Sequence, residues 1–235
     1  MTRTPVWRAI ASTLTNEIAD GHYRSGDKLP TEAELSSRFG VNRHTVRRAL
    51  AELADQGLTH ARRGAGVFVM ADPTDYPIGK RVRFHQNLLA AGRMPDRRIL
   101  TLQTRPGDAE ETVALALPVG AQVSVYEGLS LADNSPVALF RSVFPAQRFP
   151  TILTDLEQLL SVTAALERGG VADYTRVSTR LTTKTASATQ ALQLGVAEGA
   201  PILRTVSVNA DPDGKPVEYG HTWFVGDRIT LVIES

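Results

Sequence analysis

Along residues 5–20 the apolar positions Val6, Ile10, Leu14 and Ile18 recur every fourth residue, the stripe of a helix with one buried face, and the pattern stops at Gly21. Residues 31–39 open with Thr31-x-x-Glu34, a capping box in which each side chain satisfies the other's end of the helix, and close on Gly40. A third helix is expected from Asn42, a good N-cap, with Val46, Ala49, Leu50 and Leu53 turned inward before it stops at Gly57. Two short strand-like pieces follow, 58–63 and 67–70, around Gly64-Ala65-Gly66. Three helices and a glycine-tipped hairpin therefore make up the first part of the chain.

The pattern breaks at residues 71–77, where two prolines and two aspartates interrupt any helix or strand. Beyond Arg83, helix and strand alternate: helix 84–91, strand 99–104, helix 109–117, then strands 122–131 and 136–144 around Ala132-Asp133-Asn134-Ser135. A helix at 155–167 ending in Gly169-Gly170, a strand at 174–185 and a helix at 186–194 come next. Strands 202–210 and 216–224 join through the turn Asp211-Pro212-Asp213-Gly214. Hairpins dominate, so an α+β fold is expected, with a mainly antiparallel sheet and helices to one side. The expected division is 1–70, a linker at 71–82 that its prolines stiffen, and 83–235.

Composition narrows the chemistry. The chain has 235 residues, enough for two compact domains, and 42% of them are hydrophobic. Without any cysteine there is no disulfide scaffold, thiolate metal site or thiol nucleophile. No apolar stretch is long enough to span a membrane and the N-terminus lacks the core of a secretory signal, so a cytoplasmic protein with no membrane association is expected. Net charge is +1, from 26 Lys and Arg against 25 Asp and Glu, which advertises no partner. Placement says more. Residues 1–72 hold ten basic and eight acidic residues, yet Arg43, Arg47, Arg48, Arg62 and Arg63 face only Glu52 and Asp55 in their stretch. A local basic face fits inside a nearly neutral molecule.

The first part has the order of a winged helix-turn-helix. In that arrangement the second short helix enters the major groove by its N-terminal end, which must carry long donors. Here that end holds Asn42, Arg43, His44, Thr45 and Arg47, where arginine can pair bidentately with guanine. Arg62, Arg63 and Gly64 fall at the wing tip, where glycine lets backbone approach phosphates or the minor groove. A basic helix alone is often just a solvated face; the whole ordered pattern favours DNA.

From Trp7 to Val69, the runs WRAIASTLTNEIADGHYRSGDKLPTEAEL, FGVNRHTVRRALAELADQGL and RRGAGVFV resemble the DNA-binding domain of GntR-type regulators. The resemblance implies DNA contacts from Asn42, Arg43, His44 and Arg47 with Arg63 and Gly64 in the wing, while Ala33 stands where the family often has a basic residue. The second part, through RFHQNLLAAGRMP, LSLADNSPVA and PVEYGHTWFVGDR, is similar to the ligand-sensing UTRA domain of the HutC branch, which implies a chorismate-lyase-like fold. Within that branch the likeness runs to regulators of phosphonate utilisation. A homodimeric repressor that reads an inverted repeat in double-stranded DNA is what these resemblances imply, with a HutC-branch regulator of another catabolic pathway as the alternative.

The residues themselves suggest an anionic effector, phosphonate- or phosphate-bearing. Arg83 and His85 sit at a short helix's N-terminal end, Arg176, Ser178 and Arg180 alternate along one strand, and Arg141 lies on another. Each of these alone reads as ordinary surface; as a cluster they suit an anion pocket. Glu218 matches an acidic ligand contact of the branch's sugar-phosphate sensors, and Tyr219 beside it joins the candidate set. Those sensors carry two arginines where this chain has Gly128 and Ser130, an acid where it has Phe140, and a tyrosine where it has Phe224. That argues against an amino-sugar phosphate and leaves a compact phosphonate or its metabolite.

Catalysis finds little footing. The five histidines, 22, 44, 60, 85 and 221, have no metal-ligand spacing, there is no G-x-S-x-G elbow, and Gly64-x-Gly66 lacks a nucleotide loop's third glycine. Glu218 and His221 are three apart on a predicted strand and so face opposite ways. No cofactor or metal is expected, and a chorismate-lyase-like enzyme is the minor alternative.

Overall fold

The computed structural model describes residues 5–23, 26–62, 64–70, 73–81 and 84–233, with the side chains of Arg62 and His85 outside that set. It divides into two compact units, Met1–Asp72 and Pro73–Ser235. In the first, helices α1 (Val6–Ala19), α2 (Glu32–Phe39) and α3 (Arg43–Asp55) precede an antiparallel hairpin of β1 (Thr59–Arg62) and β2 (Gly66–Val69). Its core is built from the periodic apolar positions. Ile10 and Leu14 of α1, Leu35 of α2, and Val46, Ala49, Leu50 and Leu53 of α3 are buried together. Val6, the first residue of the expected α1 stripe, lies at the helix's open end and is 56% exposed.

The second unit runs β3 (Thr74–Pro77), α4 (Phe84–Ala90), β4 (Pro95–Pro106), α5 (Ala109–Ala114), β5 (Gln122–Ala132), β6 (Ser135–Pro145), α6 (Ile152–Leu159) and α7 (Val162–Arg168). It continues with β7 (Thr175–Thr185), α8 (Ala188–Leu194), β8 (Pro201–Ala210), β9 (Pro216–Val225) and β10 (Ile229–Val232). Six strands form one antiparallel sheet in the order β4-β5-β6-β9-β8-β7. Helices flank both faces rather than one. On the first face Phe140, Phe144 and Tyr126 pack against Ile152 and Leu156 of α6 and Leu166 of α7. On the second, Leu129, Ile202 and Val225 meet Ala191 and Leu194 of α8, and Val123, Val125 and Tyr219 meet Leu115 just after α5.

Three differences from the sequence pattern have local causes. The expected linker 71–82 contains β3, which pairs in parallel with β10 and buries Tyr76. Thr74 and Ile78 donate their N–H groups to Arg228 and Val232, so alternation points the missing donor of Pro77 away from the pair, where proline is tolerated. The expected single helix 155–167 is two helices, because Leu160 turns left-handed (φ 49°) and Ser161 caps α7 through the Ala164 N–H. Strand β4 begins at Pro95 rather than 99 and runs the length of its partner β5. No helix among the described residues is long and apolar enough to cross a membrane.

Candidate DNA-binding face and effector cavity

Helix α2 is closed at its start by the Thr31–Glu34 capping box and at its end by Gly40 in the left-handed conformation (φ 64°), which turns the chain into α3. Asn42 then caps α3, its Oδ1 accepting from the Thr45 N–H and hydroxyl, both at 2.9 Å. Asn42 and Thr45 are thus engaged with each other and fix the first turn. Arg43, His44 and Arg47 are exposed to solvent at that turn, while Val46 and Leu50 are buried. Arg47 is already engaged, donating through Nε at 3.0 Å and Nη2 at 2.8 Å to the two carboxylate oxygens of Glu32. The Arg47 hydrogen bonds hold the Glu32 carboxyl below its ordinary range, and Glu32 in turn raises the arginine. Arg48 lies over the Trp7 ring at 4.5 Å, a packing role.

At the wing, Arg62 pairs with Gly66 and Gly64 is exposed with φ 74°. Arg63 and the Arg62 side chain lie outside the described residues. Gly66 has φ 117°, and a Cβ there would meet Lys28 Cε at 2.7 Å. Lys28 also bridges to Phe68, so it brings a cation to the wing that sequence spacing alone did not single out. Its only signal was its place in the Gly-Asp-Lys-Leu-Pro run before α2.

The second unit has a cavity of about 260 Å³ on the first face of its sheet, between the strands, α4 and the start of α7. Of the expected effector residues, Arg176 and Glu218 line it. Glu218 is buried, accepting from Ser142 Oγ at 2.5 Å and Asn209 Nδ2 at 2.6 Å, and Asn209 accepts from Arg176 Nε at 3.3 Å. The other expected residues lie elsewhere. A β-bulge between Arg176 and Ser178 reverses the alternation, so Ser178 and Arg180 oppose Val208 and Val206 on the second face. Tyr219 is one residue from Glu218 on β9 and joins the Leu115 cluster, again on the second face. Arg141 shares that face, ion-paired to Glu127 and opposite His221. Burial, with Arg204 and Arg141 nearby, pushes the His221 imidazole below its ordinary range. Arg83 and the His85 side chain are outside the described residues, although their neighbours Phe84 and Gln86 line the cavity.

The residue the sequence reading missed is Arg97. Its guanidinium lies between Phe84 and Phe140, 5.3 and 4.9 Å from the ring centroids, and it lines the cavity. Its Nε and Nη1 are buried, and neither has a hydrogen-bond partner among the described residues. This arrangement explains the departures noted at 128, 130 and 140. Gly128 opposes Phe140 across the strands, and a Cβ at 128 would stand 2.8 Å from the Phe140 ring and 2.5 Å from the Arg98 carbonyl oxygen. The missing side chain makes room for the ring that supports Arg97. Arg97 itself opposes Ser130, so the cation comes from the neighbouring strand at the same level of the sheet. Tyr76 completes this end, its hydroxyl pushed up to about 12 by burial.

Comparison with known proteins assigns both units. The pattern of "Bacterial regulatory proteins, gntR family" matches residues 7–69, and that of the UTRA domain matches residues 90–230. An HTH-type transcriptional regulator of Rhizobium meliloti is 39% identical over 98% of this chain and 95% of its own length. The probable transcriptional regulator PhnF of Escherichia coli is 31% identical over 97% of this chain and 94% of its own. The crystal structure of PhnF from Mycobacterium smegmatis superposes with a TM-score of 0.66 at 28% identity, covering 96% of this chain and 98% of that one. These relatives are transcription regulators, not enzymes. The chain belongs to the gntR family of bacterial regulatory proteins, in the HutC branch with its UTRA domain, and resembles PhnF within it.

Proposed function

We propose that the protein is a cytoplasmic repressor of genes for phosphonate uptake or metabolism, whose operator binding is controlled by a small effector with a phosphonate- or phosphate-like head. Asn42, Arg43, His44, Thr45 and Arg47 form the reading end of α3, with Arg62, Arg63 and Gly64 in the wing. As a homodimer, two such ends read an inverted repeat, which converts a modest single contact into a specific one. The observation that carries the effector reading is Arg97, a cation packed against two rings in a cavity, with two buried donors that have no partner among the described residues. An anionic head supplies the acceptors those donors lack. Effector binding then favours a spacing of the two DNA-binding units that misses successive major grooves.

The test is a mobility-shift titration on a promoter fragment of the neighbouring genes, with methylphosphonate, simple alkyl phosphate esters and sugar phosphates added in turn. One of the first two classes is expected to change operator affinity in the wild type and to have no effect in Arg97→Met, whose basal DNA binding persists. A response only to sugar phosphates moves the protein to another catabolic pathway of the same branch. A response undiminished in Arg97→Met removes the cavity from the switch.

A further inference from the structure

Two charges of opposite sign face the same cavity without meeting each other. At one end, Arg97 leaves Nε and Nη1 buried and without partners among the described residues. At the other, Glu218 is 7% exposed, and its hydrogen-bond partners are the neutral Ser142 hydroxyl and Asn209 amide. Each carboxylate oxygen therefore accepts one bond, and an ionised carboxylate has room for about four acceptor contacts in all. Arg176 reaches Glu218 only through Asn209, as a relay rather than an ion pair.

Buried charges are normally paired, because an uncompensated one loses its hydration for nothing. Three other buried carboxylates of this unit follow that rule: Glu111 with Arg105, Asp211 with Arg148, Asp155 with Arg168. Glu218 and the buried Nε and Nη1 of Arg97 have no charged partner among the described residues, and they share one cavity. A purely anionic ligand would satisfy Arg97 and set its charge against Glu218 and against Glu167, which also lines the cavity. A hydroxyl on the ligand would give Glu218 a hydrogen bond but no compensating charge.

Resting on the effector reading above, we propose that the effector is a zwitterion, its anionic head on Arg97 and its ammonium group on Glu218. Arg97 and the buried Glu218 are then each compensated by one molecule that spans them. The shared chemistry is an amine and an acid separated by a short chain, and both aminoalkylphosphonates and amino carboxylates supply it. Glu218 acts as the specificity-determining residue, selecting among ligands that Arg97 would otherwise hold alike.

The test is calorimetric titration of the full chain with aminoalkylphosphonates from ethyl to pentyl, the matching alkylphosphonates, the matching amino carboxylates and inorganic phosphate. At one chain length the amino compound is expected to bind roughly tenfold or more tightly than its counterpart without the amine, since a charged hydrogen bond is gained. Whether the phosphonate or the carboxylate series shows this identifies the head group. Glu218→Gln is expected to bring the ratio near unity, and a matching wild-type comparison keeps the test open if that variant misfolds. Alkylphosphonates that bind as tightly as their amino counterparts overturn the zwitterion while leaving the effector reading standing. Binding by none of the four classes overturns the zwitterion, and the effector reading falls with it when phosphate esters also fail to bind.

Discussion

The two units deploy their arginines in opposite ways. On α3, Arg43 and Arg47 stand in solvent, and Arg47 already has Glu32 as counter-charge. In the sheet unit, Arg97 lies against two aromatic rings, with two buried donors that have no partner among the described residues. Exposed arginines suit a polyanion, because dense phosphates attract them strongly and little hydration is lost on either side. An arginine with buried donors on a cavity wall suits a small ligand, because only a group of the right charge and shape reaches those donors. The first arrangement is sensitive to salt and tolerant of geometry; the second is the reverse.

The sharpest break in this comparison is to damage one unit and watch the other. Leu35 is fully buried among α1 and α3, and truncating it leaves a cavity under the reading helix. Leu35→Ala is expected to destabilise the first unit by about 2–5 kcal/mol. Hydrogen exchange should accelerate across α1–α3, while protection of the six-stranded sheet stays as in the wild type. Loss of protection in both units would mean that they fold as one.

The converse change is Gly128→Ala. Its Cβ meets backbone at 2.5 Å and the Phe140 ring at 2.8 Å, so the ring must shift and Arg97 with it. Overpacking of this kind costs about 1–3 kcal/mol. The sheet unit should melt earlier and lose effector binding, whereas operator affinity without effector should stay unchanged. Retained effector binding would show that Phe140 is not what holds Arg97.

These two positions also mark how far the sequence could be read. Leu35 and its neighbours were legible because helical periodicity is local: the buried set of α3 is the set its spacing predicts. The cavity was legible only in part. Glu218 lines it and Tyr219 does not, and alternation alone should have separated the two. Arg176, Ser178 and Arg180 read as one face because a bulge leaves no mark in spacing. Arg97 was invisible for another reason. It becomes a ligand candidate only through its cross-strand neighbour Ser130 and the rings from α4 and β6, all distant in sequence.

On the DNA side, Arg43→Ala is expected to weaken operator binding by about 1–3 kcal/mol and to relax preference at one base position. Effector affinity measured by calorimetry should not move, which separates the two arginine sets directly. An unchanged footprint would take Arg43 out of the reading end.

The smallest effect tests whether Glu32 restrains Arg47. Both side chains are substantially exposed, so their pairing adds little to stability, and Glu32→Gln should leave the melting temperature almost unchanged. What should change is the arginine's availability. Freed from its carboxylate, Arg47 can take one more phosphate, so operator binding should tighten at low salt and the slope of log affinity against log salt should steepen by about one. Acid offers an independent handle on the same pair. Arg47 lowers the Glu32 carboxyl in the folded protein, so the pairing is intact above the ordinary carboxylate range and is lost as pH falls through the lowered value. Wild type and Glu32→Gln should therefore differ in operator affinity at neutral pH and converge under acid, provided the fold persists. A wild type that binds operator more tightly than the variant at neutral pH would show instead that Glu32 aims Arg47 at its target.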